Sequence, residues 1–443
     1  MIRETLLWLF AEYERQKVPY CVLRNYEGLP DTIGRDVDIL IHPDKLAENY
    51  RIMGELCRRF GWLIFKRVRI DFYEGYRLFR NASSDEFLLF DFHTALEENG
   101  GIVYLPGDLA LQGRVYHRGF YILDPATEAL HLLMHSVFGT GPVRTKYCSL
   151  IIQRIRQNPD RFELLLREVL GSDLAEAISA LLQKGNVEAV IEMRGKIMKK
   201  LMQRPRVLLM AIIYRIHVRL AQIKGLFRPQ GIFVVLIGPD GVGKSTCAAE
   251  VERILSKAIR IMHWHLGFRP TILPARDRLA IKGNLLLMPG TQKTGNKAST
   301  RKGIRGIVRL IYHSLDYLLG YYLKIWPEMA RGGIVLAERY FFDYYVHPER
   351  KGIDLPNWIT RLILWLMPKP DLTILLYEQP EIIYQRRQEL SVAEIQRQLA
   401  LYETVGKRLK QFVKVSTRGS VQETSREVVN HIIDCLVTKI GKM

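Results

Sequence analysis

The feature that most constrains this chain is a glycine-rich segment, Gly238–Ser245, with the sequence GPDGVGKS. It fits the P-loop pattern G-x-x-x-x-G-K-[ST], follows the apolar run IFVVLI and precedes the helix-compatible CAAEVERIL. A strand, a tight glycine turn and a helix in this order point backbone N–H groups and a helix N-terminus at one place, where they bind phosphate. We therefore predict a nucleotide-binding loop within an α/β domain.

Each residue type in this loop has a physical task. Glycines let the backbone turn tightly around the phosphates. We expect Lys244 to bridge the β- and γ-phosphates of ATP and the Ser245 hydroxyl to bind Mg²⁺. The predicted nucleotide-binding set is Gly238, Asp240, Gly241, Val242, Gly243, Lys244, Ser245 and Thr246.

The sequence around this loop alternates between apolar runs and helical segments. Four runs are typical of strands buried on both faces: 232–237, 333–338, 372–377 and 412–416. Ser420 and Glu423 fit a capping box that opens the last helix. The pattern predicts a parallel sheet flanked by helices.

Three segments, GPDGVGKST, IVLAERYFFD and PDLTILLYEQPEIIYQRR, make residues 232–416 resemble thymidylate kinase in order and spacing. The resemblance implies a P-loop kinase that uses ATP and Mg²⁺ and phosphorylates an acceptor. It also implies that Asp240 faces the acceptor and that Arg339 holds the acceptor's phosphate. Arg386 and Arg387 match the family's lid arginines, which contact the transferring phosphate.

The chemistry supports the same assignment. Phosphoryl transfer needs charge neutralisation and in-line positioning rather than covalent help. Lys244, Mg²⁺ and a lid arginine would neutralise the charge, and Arg339 with Asp240 would position the acceptor in line. Glu338, at the end of a predicted strand, would hold Mg²⁺ directly or through water. The alternatives are a buried structural Glu338–Arg339 ion pair and a solvent-exposed face for the lid arginines.

Departures from the family pattern bear on the acceptor. Thymidylate kinases carry an E-P-G-type segment where this chain reads HWHLGFRPTILPARDRL (263–279), and the Asp of their D-R-Y motif is Glu338 here. These changes indicate a different acceptor, a phosphorylated small molecule or a glycan-type one, with dTMP as an alternative. We interpret His263 and His265 as strand or loop histidines rather than a metal pair. The Gly-, Lys- and Thr-rich segment 288–306 predicts a mobile loop.

The N-terminal part carries a second pattern, this time of acids. GRDVDILI places Asp36 and Asp38 two residues apart on a predicted strand, so both carboxylates point to one face and can share Mg²⁺. The later run FLLFDFH adds Asp91, with His93 on the same face. We predict a metal-binding triad; the alternative is solvated carboxylates or ion pairs with nearby arginines, among them Arg24, Arg35 and Arg77.

VLRNYEGLPDTIGRDVDILI, FDFH and EALHLLMHSVF resemble the nucleotidyltransferases associated with bacterial surface-polysaccharide synthesis, over residues 15–140. The resemblance implies an α+β fold and Mg²⁺-dependent nucleotidyl transfer. The family's G-S pair before D-x-D is absent, and Arg24, Asn25 and Gly28 occupy that region.

Three segments follow from these patterns. Residues 1–140 are predicted as the nucleotidyltransferase-like domain, with strands at 20–24, 36–41 and 86–92. Residues 141–228 are predicted as a helical middle region and linker. Helices are expected at 161–170, 173–182 and 187–202, and the dipeptide Arg204-Pro205 is expected to break or restart a helix. The Gly- and Pro-containing GLFRPQG then leads into a kinase-like domain at 229–443.

The net charge of +19 attracts anionic partners. It concentrates in residues 194–228 and 269–309, which predict a solvent-exposed helix face and a flexible loop, or a contact with an anionic membrane surface or polyanion. No base-reading motif is present in the sequence, so we expect no specific nucleic-acid partner.

Five cysteines without CxxC spacing favour a reducing compartment. The N-terminus predicts an amphipathic helix rather than a signal peptide, and no apolar window is long enough to span a membrane. We expect a cytoplasmic protein, free or peripheral to the inner face of the membrane, and a homodimer is compatible with the sequence.

The leading hypothesis is an ATP-dependent kinase fused to a Mg²⁺-dependent nucleotidyltransferase. Its alternatives are a nucleotidyltransferase whose P-loop domain senses nucleotide, a dTMP kinase, and a basic scaffold that uses ATP as a switch.

Overall fold

The computed structural model describes residues 1–80, 86–98, 100–141, 143–265, 272–273, 301–302, 304–347, 353–354 and 357–441. The chain divides into two compact units, Met1–Ala221 and Gln222–Met443. The second unit thus begins slightly before the predicted residue 229. Nearly all of the segment predicted as a separate helical middle region lies within the first unit.

The first unit is built on a seven-stranded mixed sheet with a separate hairpin of β6 and β7. Its strands are β1 (Tyr20–Val22), β2 (Val37–Ile41), β3 (Leu63–Ile70), β4 (Tyr73–Arg80), β5 (Glu86–His93), β6 (Ala95–Glu98), β7 (Ile102–Pro106), β8 (Val115–His117) and β9 (Phe120–Ile122). The order across the sheet is β3-β4-β5-β2-β1-β9-β8. Strands β2 and β5 are parallel neighbours, so the ends that carry the predicted aspartates lie side by side.

Helices pack on both faces of this sheet. The helices that begin in this unit are α1 (Ile2–Arg15), α2 (Leu46–Phe60), α3 (Gly107–Ala110), α4 (Pro125–Phe138), α5 (Val143–Lys146), α6 (Cys148–Gln157), α7 (Pro159–Leu170), α8 (Ser172–Gln183), α9 (Val187–Glu192), α10 (Arg194–Met202) and α11 (Pro205–Phe227), the last of which continues past Ala221. One core joins Tyr20 and Ile39 to α1 and α2, and another joins Cys21 and Leu40 to α4 and the following helices. Neighbouring residues of a strand point to opposite faces, so the two cores lie on opposite sides of the sheet.

Helix α4 is the centre of the second core. The Asp124 side chain caps its first turn, accepting hydrogen bonds from the backbone of Ala126 and Thr127, and Pro125 occupies the first helical position. Almost every residue of α4 is buried, because α6, α7 and α9 pack around it. Its polar side chains therefore need partners inside the protein.

The first unit differs from the sequence-based expectations in two places. The single helix expected at 187–202 is broken at Met193 into α9 and α10, because the backbone there leaves the helical conformation (ψ 7°). The strands β3 and β4 were not predicted; their alternation of apolar and basic residues is weak, and β3 lies at the edge of the sheet with most side chains only partly buried.

The basic stretch 194–228 comprises α10, the two residues that connect it to α11, α11 itself and Arg228. Basic and apolar side chains of α11 are both exposed, among them Arg215, Arg219, Leu209, Ile216 and Leu220. Within the described parts of the chain, no helix combines the length and apolar character needed to cross a bilayer. The contact with an anionic membrane surface stays a prediction.

The second unit contains a five-stranded sheet in which all strands are parallel. Its strands, with a separate short pair formed by β12 and β14, are β10 (Ile232–Ile237), β11 (Ile261–His265), β12 (Arg301–Lys302), β13 (Ile334–Glu338), β14 (Ile353–Asp354), β15 (Leu372–Tyr377) and β16 (Phe412–Ser416). The order is β11-β13-β10-β15-β16. The predicted parallel α/β architecture is confirmed, and each of the four predicted strands is present.

The helices of this unit are α12 (Lys244–Leu255), α13 (Ile304–Gly320), α14 (Trp326–Ala330), α15 (Asp343–Val346), α16 (Asn357–Leu366), α17 (Pro380–Arg386), α18 (Val392–Gly406) and α19 (Val421–Ile440), with a π-helical turn at Tyr321–Ile325. The predicted capping box of Ser420 and Glu423 is present at the start of α19. Most of the predicted loop 288–306 lies outside the described residues, although its last part enters β12 and α13.

The order of the strands positions the P-loop. Strand β10 lies in the middle of the sheet between β13 and β15, and all strands point the same way. The loop after β10 and the residues after β13 therefore meet at the carboxyl edge of the sheet, where ligands bind in open α/β folds.

Candidate functional site

The P-loop backbone has the conformation that its glycines permit. Gly238, Gly241 and Gly243 have φ values of +148°, +91° and +98°, a region that L-residues with side chains rarely adopt. Helix α12 begins directly after Gly243, and no side chain caps its first turn. A helix N-terminus with N–H groups free of side-chain caps is suited to bind an anion.

Lys244 is buried at the base of this loop, with 6% of its surface exposed. Its Nζ donates hydrogen bonds of 2.8 Å to the carbonyl oxygens of Gly238 and Pro239, and lies 3.6 Å from Oδ1 of Asp240. Burial, reinforced by the charge of Arg339, lowers the pKa of Lys244 to about 8. A phosphate would supply the negative charge that this desolvated cation needs.

Arg339 and Asp240 form an ion pair across the carboxyl ends of two strands. Arg339 donates from Nη2 to Asp240 Oδ1 and from Nη1 to Asp343 Oδ2 at 3.3 Å. The Tyr402 hydroxyl donates to Asp343 Oδ1 at 2.9 Å. Burial alone would lower the pKa of Arg339, but the carboxylates of Asp343 and Asp240 raise it. The guanidinium is thus a fixed cation beside the loop.

The backbone around Arg339 is unusual for a residue with a side chain. Its φ is +65°, and its N–H donates to the carbonyl of Leu236 at 3.0 Å. Non-glycine residues in this left-handed region tend to occur at functional sites. The turn directs the chain from β13 across the end of β10.

Glu338, the last residue of β13, is buried and contacts two further elements. Its Oε2 accepts a 2.5 Å hydrogen bond from the Ser245 hydroxyl, and its Oε1 lies 2.9 Å from Nε2 of His263. The other ring nitrogen of His263 lies 3.1 Å from Glu252 Oε2, and the hydrogen bond to Glu338 raises the pKa of this histidine. A hydroxyl and a carboxylate beside a phosphate-binding loop are ligands that suit Mg²⁺.

The two predicted lid arginines have different partners. Arg386 ends α17 and donates to the hydroxyl and carbonyl oxygens of Thr417 at 3.1 and 2.9 Å. Arg387 forms an ion pair of 2.7 Å with exposed Glu389. A Cβ added at Gly241 would lie 2.9 Å from the Cβ of Arg387. Arg387 is therefore the one whose Cβ lies against the P-loop, while Arg386 links α17 to the residue that follows β16.

Sequence reasoning missed Asp343 and Tyr402. Asp343 was within the quoted motif IVLAERYFFD, and its spacing of four residues from Arg339 is the signal that would have suggested a pair. Tyr402 lies on α18, far along the chain, and no local pattern marks it.

A second group of acids lies in the first unit. Asp38 and Asp91 are in register on the parallel strands β2 and β5, and Asp36 lies two residues before Asp38. Each of the three offers an oxygen, and these oxygens lie within 4.8 Å of one another. The structure thus brings together the three predicted metal ligands, a donor set suited to Mg²⁺.

The surroundings of this carboxylate cluster are charged. Asp38 accepts from Nε of Arg24 at 2.9 Å and lies 3.7 Å from Nε2 of His93. Burial would raise the pKa of Asp38, but His93 and Arg24 together hold it below its usual range. Asp36 behaves in the opposite way, because burial and the charges of Asp38 and Asp91 raise its pKa. The ion pair with Arg24, predicted as an alternative to metal binding, thus coexists with the cluster.

Asp91 also has local partners that fix its position. Its Oδ1 accepts hydrogen bonds of 2.7 Å from the Tyr73 hydroxyl and from Nη1 of Arg77. These partners come from β4, the neighbour of β5. A carboxylate anchored in this way is preorganised, because binding a metal requires little further ordering of its side chain.

A P-loop at the end of the central strand of a parallel sheet, with a buried lysine and a Ser–Glu pair beside it, defines the second unit as a P-loop kinase type of domain. No protein-family model matches the chain. Curated proteins do. A probable thymidylate kinase of Archaeoglobus fulgidus is 28% identical over 156 residues, 35% of this chain and 68% of that protein.

Two further relatives are also described as thymidylate kinases, one of them as a probable one. A probable thymidylate kinase of Staphylothermus marinus is 26% identical over 162 residues, 36% of this chain and 70% of the relative. A thymidylate kinase of Xanthomonas euvesicatoria pv. vesicatoria is 27% identical over 150 residues, 34% of this chain and 57% of the relative. The chain therefore contains a thymidylate-kinase-like region, which supports an ATP-dependent phosphotransferase at the level of the family. None of these relatives is described as a nucleotidyltransferase, so that resemblance stays a prediction.

Proposed function

We propose that the second unit transfers the γ-phosphate of ATP to a small acceptor that is itself phosphorylated or glycan-type. The observation that carries this proposal is the convergence of Lys244, Asp240 and Arg339 at the carboxyl edge of the sheet, beside the Ser245–Glu338 pair. A bound nucleotide would contact Lys244, and the acceptor would contact Asp240 and Arg339.

On the donor side, Lys244 is held by two loop carbonyls and is shielded from water, so its charge acts on a bound phosphate with little screening. Ser245 and Glu338 would hold Mg²⁺. When bound, Mg²⁺ would neutralise charge that builds up on the β- and γ-phosphates. Ser245 and Glu338 are already in contact with each other, so both proposed Mg²⁺ ligands lie at the same place.

On the acceptor side, Arg339 is oriented by Asp240 and Asp343 and keeps guanidinium N–H groups for an acceptor's oxygens. The acceptor oxygen attacks the γ-phosphorus, the bond from that phosphorus to the bridging oxygen breaks, and ADP leaves. A phosphate acceptor attacks as an anion and needs no base. The carboxylate of Asp240 already contacts Arg339 and lies 3.6 Å from Nζ of Lys244. This arrangement supports a phosphorylated acceptor over a hydroxyl, which would need a base.

The test is acceptor-stimulated formation of ADP by the purified chain with ATP and Mg²⁺. The acceptors are dTMP, sugar phosphates, free sugars and a lipid extract. At least one acceptor should stimulate ADP formation, and Lys244→Ala should reduce the rate by about 10²-fold or more, because a charge-stabilising group is lost. The matched control is Lys257→Ala, which removes an exposed lysine just beyond α12.

Stimulation by dTMP and by no other acceptor of the panel would favour a dTMP kinase over a kinase with a different acceptor. Stimulation that survives Lys244→Ala would contradict the assignment of this site to phosphoryl transfer.

The carboxylate cluster favours a second function, nucleotidyl transfer by the first unit. An acceptor oxygen would attack the α-phosphorus of a nucleoside triphosphate, the bond to the bridging oxygen would break, and pyrophosphate would leave. The acceptor's proton would pass to a carboxylate or to water. Asp36, Asp38 and Asp91 would hold Mg²⁺, which would neutralise the phosphates. An alternative is that nucleotidyl transfer is the main activity of the protein and that the P-loop unit binds nucleotide as a sensor.

Metal binding tests this second function without relying on activity. Mn²⁺ titrated into the nucleotide-free protein and followed by electron paramagnetic resonance should bind, and Asp36→Asn should weaken binding by about tenfold or more, because a charged ligand is lost. Asp160→Asn, which changes an exposed aspartate of α7, is the control. Equal affinity in Asp36→Asn and the control would remove the basis for this function.

A further inference from the structure

A polar cavity of about 170 Å³ lies in the first unit beside the carboxylate cluster. Its polar lining comes from β1 to α4: Arg24, His93, Glu97, Glu98, His131 and His135. This volume would hold several water molecules, so the cavity suits a small molecule rather than a nucleotide. The two glutamates, His131 and His135 are not among the predicted metal ligands.

Two side chains connect the cavity to the cluster. Arg24 lines the cavity and also binds Asp38, and His93 does the same at 3.7 Å. A molecule in the cavity is thus separated from the proposed metal ligands by one layer of side chains.

The cavity's charges are already paired. Oε1 of Glu98 lies 2.8 Å from Nδ1 of His135, and that nitrogen is also 2.8 Å from Nη1 of Arg24. Glu97 lies 3.9 Å from Nδ1 of His93. An added phosphate would meet two carboxylates, and an added cation would meet a guanidinium, so either ion would face a like charge.

What the cavity does offer is a mixture of hydrogen-bond donors and acceptors. His131 is almost fully buried; its Nδ1 pairs with the Tyr104 hydroxyl at 2.7 Å, and its Nε2 has no hydrogen-bond partner among the described residues. A buried nitrogen without a partner costs free energy. Hydroxyl groups both donate and accept, so a molecule with several of them could satisfy this mixed lining.

The remaining wall is built by α11. Tyr214 lines the cavity and packs on a turn of two glycines, Gly100 and Gly101, with φ values of +87° and +84°. A Cβ at Gly101 would lie 2.6 Å from the Cβ of Tyr214, so only glycine allows this close approach. His217, one turn further along α11, lies 2.6 Å from Asp71 Oδ1 and fixes the helix there.

We propose that this cavity binds a small neutral polyhydroxylated molecule of the sugar or polyol class, and that this molecule is the acceptor of the nucleotidyl transfer. The second clause rests on the function proposed for the carboxylate cluster. The hydroxyl that receives the nucleotidyl group would face Arg24 and His93, the side chains shared by the two sites.

The test is saturation-transfer difference NMR on the full chain with glucose, galactose, mannose, glucitol and myo-inositol as probes. Inorganic phosphate, followed by ³¹P line broadening, and choline represent the two charged classes. At least one neutral probe should bind, and Glu97→Gln and Tyr214→Ala should each weaken binding by about tenfold, the cost of one or two hydrogen bonds or contacts. Glu168→Gln, on the exposed side of α7, is the control.

Circular dichroism and thermal unfolding of each variant establish that it is folded before binding is compared. Failure of all neutral probes to bind, binding of phosphate or choline instead, or equal binding by a folded Glu97→Gln and a folded Tyr214→Ala would overturn the assignment.

Transfer of label from [α-³²P]ATP separates this proposal from the function on which it rests. If a polyol binds in the cavity but no α-label is transferred, the cavity assignment stands and nucleotidyl transfer is wrong. If α-label is transferred at the same rate in Glu97→Gln and Tyr214→Ala as in the control, nucleotidyl transfer stands and the cavity assignment is overturned.

Discussion

Buried ionisable side chains lie at both candidate sites, and their partners explain why burial is tolerated. Lys244 is held by two carbonyl oxygens and Asp240, and Asp38 by Arg24 and His93. Burying an ionised group without partners costs several kcal/mol. Their placement at the ends of neighbouring strands therefore favours a role in binding charge over a role in stability.

The motif residues could be predicted because their function depends on local spacing. The glycines, Lys244 and Ser245 act within one loop, and Asp36 with Asp38 within one strand. His131 and Tyr402 could not be predicted, since their partners come from distant parts of the chain. Asp343 was missed although its spacing of four residues from Arg339 would have suggested a pair. His263 was expected as a strand residue, but its contact with Glu338 arises from the pairing of β11 with β13.

His131 gives a pH prediction at this scale. Burial lowers its pKa well below the ordinary value of 6.5, so below pH 6.5 the unfolded chain binds a proton that the folded protein does not. The free energy of opening α4 should therefore fall with decreasing pH by about 1.4 kcal/mol per pH unit more in the wild type than in His131→Gln. Above pH 6.5 the difference between the two proteins should be constant.

Hydrogen exchange of α4 peptides, followed by mass spectrometry from pH 5 to pH 8 and compared between the two proteins at each pH, measures this difference. A difference that does not change with pH would show that His131 takes up protons in the folded state as freely as in the unfolded one.

At the scale of elements, the buried parallel strands of the second unit were predictable because both of their faces are apolar. The run LTILLY is β15 residue for residue, and IFVVLI is β10. Strands β3 and β4 carry arginines and lysines such as Lys66, Arg67 and Arg77 among their apolar residues, and they form by pairing with each other and, through β4, with β5. Edge strands are half exposed, so their sequences carry little of the periodic signal.

The start of α19 offers a quantitative test at this scale. The Ser420 hydroxyl accepts a hydrogen bond of 3.2 Å from the backbone N–H of Glu423. In turn, Oε2 of Glu423 accepts a hydrogen bond of 2.8 Å from the backbone N–H of Ser420. Ser420→Ala should destabilise the second unit by about 1 kcal/mol, because the N–H of Glu423 loses its acceptor. Urea unfolding followed by circular dichroism gives the change, and Ser420→Asp, which restores a cap, should recover most of it. A loss that Ser420→Asp does not recover would assign the effect to something other than capping.

At the scale of the whole molecule, the chain contains two compact units, each with its own sheet and its own candidate site. The sequence predicted both sites, because each depends on a short motif. The sequence-based prediction divided the first unit at residue 140, between a nucleotidyltransferase-like domain and a helical middle region. The structure shows that these helices cover one face of the same sheet and share its core.

The net charge of +19 is a property of the whole chain. A positive field raises the local concentration of anionic nucleotides at both sites and is screened by salt within about 8 Å at physiological ionic strength. Nucleotide binding should therefore weaken as salt is added, whichever site is responsible.

The central claim is that the P-loop site transfers the γ-phosphate of ATP. The most direct measurement incubates the full chain and Mg²⁺ with ATP labelled at the γ- or the α-phosphate, together with the acceptor panel. The wild type, Lys244→Ala, Asp36→Asn and the control Lys257→Ala are compared. We predict that γ-label reaches an acceptor, that Lys244→Ala alone abolishes this transfer, and that Asp36→Asn affects only transfer of α-label. Transfer of γ-label that is unchanged in Lys244→Ala, or no transfer by a wild-type protein that binds ATP, would contradict the claim.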